Sequence, residues 1–177
     1  MSVRKAAFED MPDIRRIYAA ARQFMRATGN PHQWGNDRPY ENLILQDIEN
    51  STCHVCEQDG RPYAVFALIP GEDPTYRVIY DGAWLNNAPY AAMHRIASNG
   101  TCHGALEEML EYSSRLGLDL RVDTHRDNRV MQHLLEKNGF TRCGIIHLEN
   151  GDERIAYQRA GSDPAGAEKD GAGEDRG

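Results

Sequence analysis

The sequence predicts one α/β domain built on a mixed, mostly antiparallel sheet flanked by helices on both faces. Three patterns predict it: short alternating or wholly apolar runs of strand type, longer stretches whose apolar residues recur every three or four positions, and Asp-Gly and Asn-Gly pairs between consecutive strand-like runs. The length of 177 residues suits a single core, since one domain commonly takes about 100–200 residues.

Residues 3–7 read as a first strand. Asp10 is placed to cap a helix that carries Ile14, Ile17, Tyr18, Ala21, Phe24 and Met25 on one face, with Gly29 to end it. Residues 30–39, which include Trp34, have loop composition and precede a short helix with Leu43, Ile44 and Ile48. Strands over 52–57 and 63–69 are joined through Asp59-Gly60, a hairpin signal. Further strands are predicted over 76–80 and 91–98. The period then changes, and Leu106, Met109, Leu110 and Leu116 line one face of a helix between Gly104 and Gly117. Residues 118–124 alternate Leu118, Leu120, Val122 and Thr124 against Asp119, Arg121 and Asp123, as a strand does. Residues 128–138 read as a helix with Val130, Met131, Leu134 and Leu135 inward and Gly139 behind it. Strands over 140–148 and 153–158 close the domain around Asn150-Gly151. The domain is thus expected over 1–159, with an acidic Gly/Ala-rich tail over 160–177 expected to be disordered.

A formal net charge of −7 argues against a surface that tracks phosphates, so nucleic acid is not expected as a partner. No apolar run approaches the ~20 residues of a membrane helix, and no short apolar block of a secretory signal opens the chain. A cytoplasmic protein without a membrane partner is the expectation. Cys53, Cys56, Cys102 and Cys143 read as free thiols. Cys53-His54-Val55-Cys56 has the spacing of half a zinc site, but a second pair is missing and a strand would turn these two cysteines to opposite sides, so no metal is expected.

Two blocks carry a resemblance. Met93-His94-Arg95-Ile96-Ala97-Ser98 leads through Gly100 and Gly104 into a helix, and Asp127-Asn128 leads through Leu134-Leu135-Glu136-Lys137-Asn138-Gly139-Phe140. In order and separation they resemble the GNAT superfamily of N-acetyltransferases, over residues 3–159. The resemblance implies acetyl-CoA as co-substrate, with its thioester against the strand of His94, Ile96, Ala97 and Ser98, where a backbone donor can stabilise developing charge. It places the pyrophosphate at the turn of Gly100, Thr101, Cys102, His103, Gly104 and Ala105, because a helix start presents unpaired amides. The family's phosphate loop reads Arg or Gln, two residues, Gly, one residue, then Gly or Ala; Thr101-Cys102-His103-Gly104-Ala105-Leu106 matches at Gly104 alone. Leu135 stands where the family often has a general-acid tyrosine. A thiol with a pKa of about 8.5 leaves near neutral pH with little help, whereas an amine of about 10 must first lose a proton, so a base is the harder requirement.

His94 is the obvious proton acceptor in its strand, or else a packed structural residue. Asp123 and His125 share one side of the next strand and stand either in proton transfer or in a polar wall, with Arg95 and Arg121 as other partners for Asp123. Asn128 caps its helix, and by resemblance also contacts the coenzyme arm. Trp34, Trp84 and Tyr90 fall in loop-like stretches where the resemblance places the acceptor, although large aromatics also serve packing. The expected activity is acetyl transfer to an amine of a small molecule or peptide, directly and without a covalent enzyme intermediate. The alternatives are a non-catalytic acyl-CoA sensor and a domain that works through protein contacts. Family analogy allows a homodimer, which no residue pattern requires.

Overall fold

Hydrophobic alternation and tight turns assemble seven strands into one sheet in the computed structural model, which describes residues 1–161. The strands are β1 (Ser2–Lys5), β2 (Cys53–Gln58), β3 (Arg61–Pro70), β4 (Tyr90–Ser98), β5 (Asp119–Thr124), β6 (Thr141–His147) and β7 (Glu153–Arg159). The helices are α1 (Met11–Ala27), α2 (Glu41–Glu49), α3 (Ala105–Ser114) and α4 (Arg129–Lys137), with 3-10 turns at Phe8–Asp10 and Pro74–Tyr76. Strand order is β1-β2-β3-β4-β5-β7-β6, and every pairing is antiparallel except β4 with β5. The Asp59-Gly60 hairpin forms with φ of 52° and 74°, both positive as a two-residue I′ turn requires.

The helices divide between the two faces. Ile14, Ile17 and Tyr18 of α1 and Ile44 and Ile48 of α2 bury against Val55, Val65 and Ala97. On the opposite face Leu106, Met109 and Leu110 of α3 and Leu135 of α4 bury against Phe66, Met93, Leu120 and Val122. A third cluster of Tyr76, Tyr90, Ala92, Ile146 and Ala156 fixes residues 71–89 over β4, β7 and β6. That segment lies so close to β6 that a Cβ at Gly82 would stand 1.9 Å from the Cys143 carbonyl oxygen.

Several expectations are corrected. Residues 76–80 are not a strand: the segment turns at Pro74–Tyr76 and joins the sheet's backbone through an isolated Tyr80–Ile145 bridge. Asp10 does not cap α1 with its side chain; it accepts from the Ala7 amide at 2.8 Å and pairs with Arg4. Phe24, Leu116 and Val130, expected inward, are exposed; α3 ends at Ser114, so Leu116 lies past the helix in the turn to β5. The four cysteines are free thiols, and Cys53 and Cys56 sit in the cores on opposite faces. Most of the expected disordered tail, residues 162–177, lies outside the described residues.

Leu135 is fully buried between α4 and the sheet. Leu135→Ala should therefore lower unfolding stability by about 2–5 kcal/mol, while Val130→Ala, on the exposed side, should change it by less than about 0.5 kcal/mol, both read from urea denaturation.

Candidate active site

The site begins with a strain in β4. Val65 opposes Ala97 and Ala67 opposes His94, so Arg95 and Ile96 together face one residue of β3 in a bulge. Arg95 sits there with φ of 52°, in the left-handed region that side chains avoid. Three bonds hold it. Its Nε and Nη2 donate to Asp47 at 2.7 and 2.9 Å, and Tyr18 Oη donates to its carbonyl at 2.7 Å. Burial raises the Tyr18 pKa well above its usual value, so the hydroxyl stays a neutral donor.

A bulge bends and twists its strand. The parallel ladder between β4 and β5 accordingly stops after Tyr90↔Asp119, Ala91↔Leu120 and Ala92↔Arg121, although the strands run on to Ser98 and Thr124. Beyond Ala92 the β5-facing edge of β4 has no ladder partner, and a cavity of about 560 Å³ occupies the opening. Ile96, Val122, Asn128 and Met131 line it toward α4, and Trp34, Arg38, His94, Asp123 and Arg154 toward the other face.

At the end of β4 the chain turns into α3 through Gly100 and Gly104, each with φ of +78°. Gly104 is the N-cap and has no side-chain oxygen, so the first-turn amides of α3 keep no intrahelical acceptor. The corner is open: a Cβ at Gly100 would meet nothing within 4 Å, and one at Gly104 only the Glu107 carboxylate at 3.8 Å. Ser98 Oγ and Asn99 Oδ1 fix the loop by accepting from the Gly100 and Thr101 amides at 3.1 and 3.0 Å. Residues 98–105 include neither Lys nor Arg, and Glu107 and Glu108 occupy the first turn of α3. An anion at this corner would meet main-chain amides alone, and the open turn has room for a pyrophosphate.

On the opposite side of the split, His94 Nε2 lies 2.6 Å from Asp73 Oδ2, and its Nδ1 lies 3.7 Å from Asp123 Oδ2. Asp73 Oδ1 accepts from the Thr75 amide and hydroxyl at 2.9 and 2.6 Å. Burial acts to raise the Asp73 pKa, but the bonds from His94 and Thr75 outweigh it and hold the carboxyl at about 2. Tyr76 Oη donates to Asp123 Oδ2 at 2.6 Å, and burial keeps that phenol neutral by raising its pKa. An imidazole bonded to a carboxylate at one nitrogen, with no hydrogen bond at the other among the described residues, has the arrangement of a general base.

His94, Asp123, Asn128 and Trp34 all line the cavity, and Asn128 also caps α4 by accepting from the Met131 amide at 3.1 Å. Trp34 packs edge-on against Tyr18. His125, Trp84 and Tyr90 do not line it. β5 ends before His125, whose Nδ1 accepts from the Asp127 amide at 3.0 Å in the turn that starts α4. Burial, then the charge of Arg154, lowers its pKa. Tyr90 is a buried strand residue whose hydroxyl accepts from the Asp73 amide at 2.7 Å. Trp84 and Tyr90 sandwich the Arg121 guanidinium at 4.0 and 3.9 Å, while Arg95 belongs to Asp47, so neither arginine pairs with Asp123. Leu135 is in the core, and Met131, one turn earlier, is the α4 residue at the cavity. Asp73, Tyr76 and Arg154 were not singled out from the sequence. An Asp before Pro at a helix start is a recognisable signal for Asp73, whereas nothing local marks Tyr76 as the partner of Asp123 or Arg154 as a cavity residue.

A single α/β domain whose mixed sheet parts between two parallel strands, with a helix N-terminus at the mouth, is the class that this geometry defines. A crystal structure of a GNAT family acetyltransferase from Streptococcus agalactiae 2603 superposes with a TM-score of 0.79 at 34% identity, covering 91% of this chain and 95% of that one. The chain belongs to the GNAT family of acetyltransferases. A GNAT family acetyltransferase from Listeria monocytogenes 4b F2365 shares the fold at a TM-score of 0.64 and 19% identity, over 89% of this chain and 92% of that one. So does yncA of Salmonella typhimurium, a candidate acetyltransferase solved with its cofactor acetyl-CoA, at 0.59 and 14%, over 93% and 95%. No family model matches the chain, and no curated protein matches it.

Because Asp73 is held at about 2 in the fold against its usual 3.8, its stabilising contribution is present above that usual value and is lost as pH falls toward 2. Thermal melts across this acid window should show a smaller loss of Tm in Asp73→Asn than in the unaltered chain. Asp47→Ala strands the Arg95 guanidinium at the bulge and should lower Tm by several degrees, read by the same melts.

Proposed function

We propose that the chain is an acyl-CoA-dependent N-acetyltransferase that passes the acetyl group of acetyl-CoA directly to an amine of a small molecule or peptide. One observation carries this reading: a single split in the sheet has an open helix N-terminus at its mouth and a carboxylate–imidazole pair on its far side. The Salmonella structure of the same fold was solved with acetyl-CoA, which supports the choice of that cofactor.

When bound, acetyl-CoA supplies an acetyl group activated as a thioester. The amides at Gly104 and the first turn of α3 hold the pyrophosphate, and Asn128 and Met131 line the path of the pantetheine arm. Main-chain donors of β4 beyond Ala92, unused by the ladder, face the thioester oxygen where negative charge develops. Asp73 orients His94 through Nε2, which leaves Nδ1 to accept the proton of the attacking amine, directly or through one water. Asp123, held by Tyr76, attracts the acceptor as its ammonium form before that proton is lost. Protonation of the departing thiolate needs no dedicated side chain, in keeping with Leu135 at the tyrosine position.

Acetyl-CoA should raise the melting temperature, and an amine panel should contain members that release free coenzyme A thiol. In His94→Gln, kcat should fall about 10²- to 10⁴-fold while the acetyl-CoA melting shift persists. A chain that shows no shift with millimolar acetyl-CoA and no thiol release overturns the reading. A second reading, an acyl-CoA sensor, is favoured by the absence of Lys and Arg over 98–105 and is recognised by coenzyme binding without turnover.

A further inference from the structure

The acceptor side of the cavity contains a cation that the acid–base chemistry does not use. Arg154 pairs with Ile146 in β7 and precedes by two residues Ala156, the cross-strand partner of Asp123. Residues two apart on a strand, and directly paired residues on neighbouring strands, share a face. Arg154 therefore stands on the face that carries Asp123, about 7 Å along the strand from that pair. It is only 5% exposed and lines the cavity.

Its pairing is incomplete. Nη1 donates to the Glu153 carbonyl at 2.9 Å, and among the described residues no carboxylate lies within salt-bridge reach of the guanidinium. Burial lowers its pKa; the charges of Asp123 and Asp152 act in the other direction, and that of Arg38 adds to the lowering. Arg38 lines the same cavity, and it too has no carboxylate within salt-bridge reach among the described residues. The other buried arginine of the sheet, Arg121, is enclosed by Trp84 and Tyr90. Among the described residues no aromatic ring stacks on Arg154, and a buried guanidinium without a bonded anion is unfavourable unless a ligand completes it.

Resting on the acetyl-transfer reading, we infer that the acceptor is a small amine that also carries a carboxylate, with its ammonium between His94 and Asp123 and its carboxylate on Arg154 and Arg38. The charges on the page select this class. Asp73, Asp123 and Glu149 line the cavity beside the two arginines. A neutral-tailed amine leaves Arg154 uncompensated, and a dianionic phosphate meets the carboxylates of Asp123 and Glu149. A guanidinium fork matches one carboxylate with two parallel hydrogen bonds. Arg154 and Asp123 line one cavity on one face of the sheet, which suits a small acceptor with its amine and carboxylate a few bonds apart.

The test is binding, which does not depend on turnover. The full chain, saturated with CoA, is titrated calorimetrically with α- to γ-aminocarboxylic acids and with the matching aminocarboxamides. Acids should bind at least about tenfold more tightly than their amides, as expected for one charge-assisted contact. Arg154→Gln and Arg38→Gln should each bring that ratio toward one, while the acetyl-CoA melting shift persists and reports that both variants fold. Equal affinities, tighter amides, no detectable acid binding, or an unchanged ratio in both variants would overturn the inference. Failure of thiol release alongside a clear preference for acids would count against acetyl transfer and leave the anion site standing.

Discussion

The left-handed backbone of Arg95 is the constraint from which the site follows. A side chain at that φ is unfavourable by about 1–3 kcal/mol, and it persists because Asp47 takes the guanidinium and Tyr18 takes the carbonyl. Both partners come from the helical layer of α1 and α2, so helix docking and strand bending are one event. The bulge ends the β4–β5 ladder after three registers and frees a strand edge inside the molecule. An unpaired buried edge is normally a liability, and here it borders a cavity in which a ligand can use it.

Charge is divided between the two sides of that opening. Toward α3 the loop has no basic residue and the first helical turn is acidic, so main-chain amides are the donors available there. Across the sheet the ionisable groups converge instead: Asp73, His94, Asp123 and Tyr76 form a connected set, and Arg154 and Arg38 stand beyond it. The segment over 71–89 is central to this arrangement. It delivers Asp73 to the cavity and the Tyr76 hydroxyl to Asp123, and Trp84 with Tyr90 enclose Arg121, so three aromatic residues secure the wall on which His94 and Asp123 stand.

Much of this was legible in the residues. Alternation located the strands of the sheet apart from 76–80, the Asp59-Gly60 pair turned as its dipeptide predicts, and Asn128 capped its helix. His94, Asp123 and Asn128 could be selected because the two motif blocks bracket the place where the sheet opens, and Trp34 because it is a large aromatic in a loop; all four line the cavity. His125, Trp84 and Tyr90 misled for definite reasons. His125 lies one residue past the strand end, where the turn into α4 redirects it, and the two aromatics are recruited by a buried arginine forty to thirty residues away in sequence.

The sequence by itself determined most element types, their order, the Asn128 cap and the Asp59-Gly60 turn, because these depend on residues within a few positions of one another. Only the tertiary structure decided that Asp73 would meet His94, that Arg154 would face the cavity without a carboxylate, and that Arg95 would be clamped in a strained conformation by Asp47 and Tyr18. Those contacts join residues far apart in the chain, and their energies depend on distance, burial and direction, which no local pattern encodes.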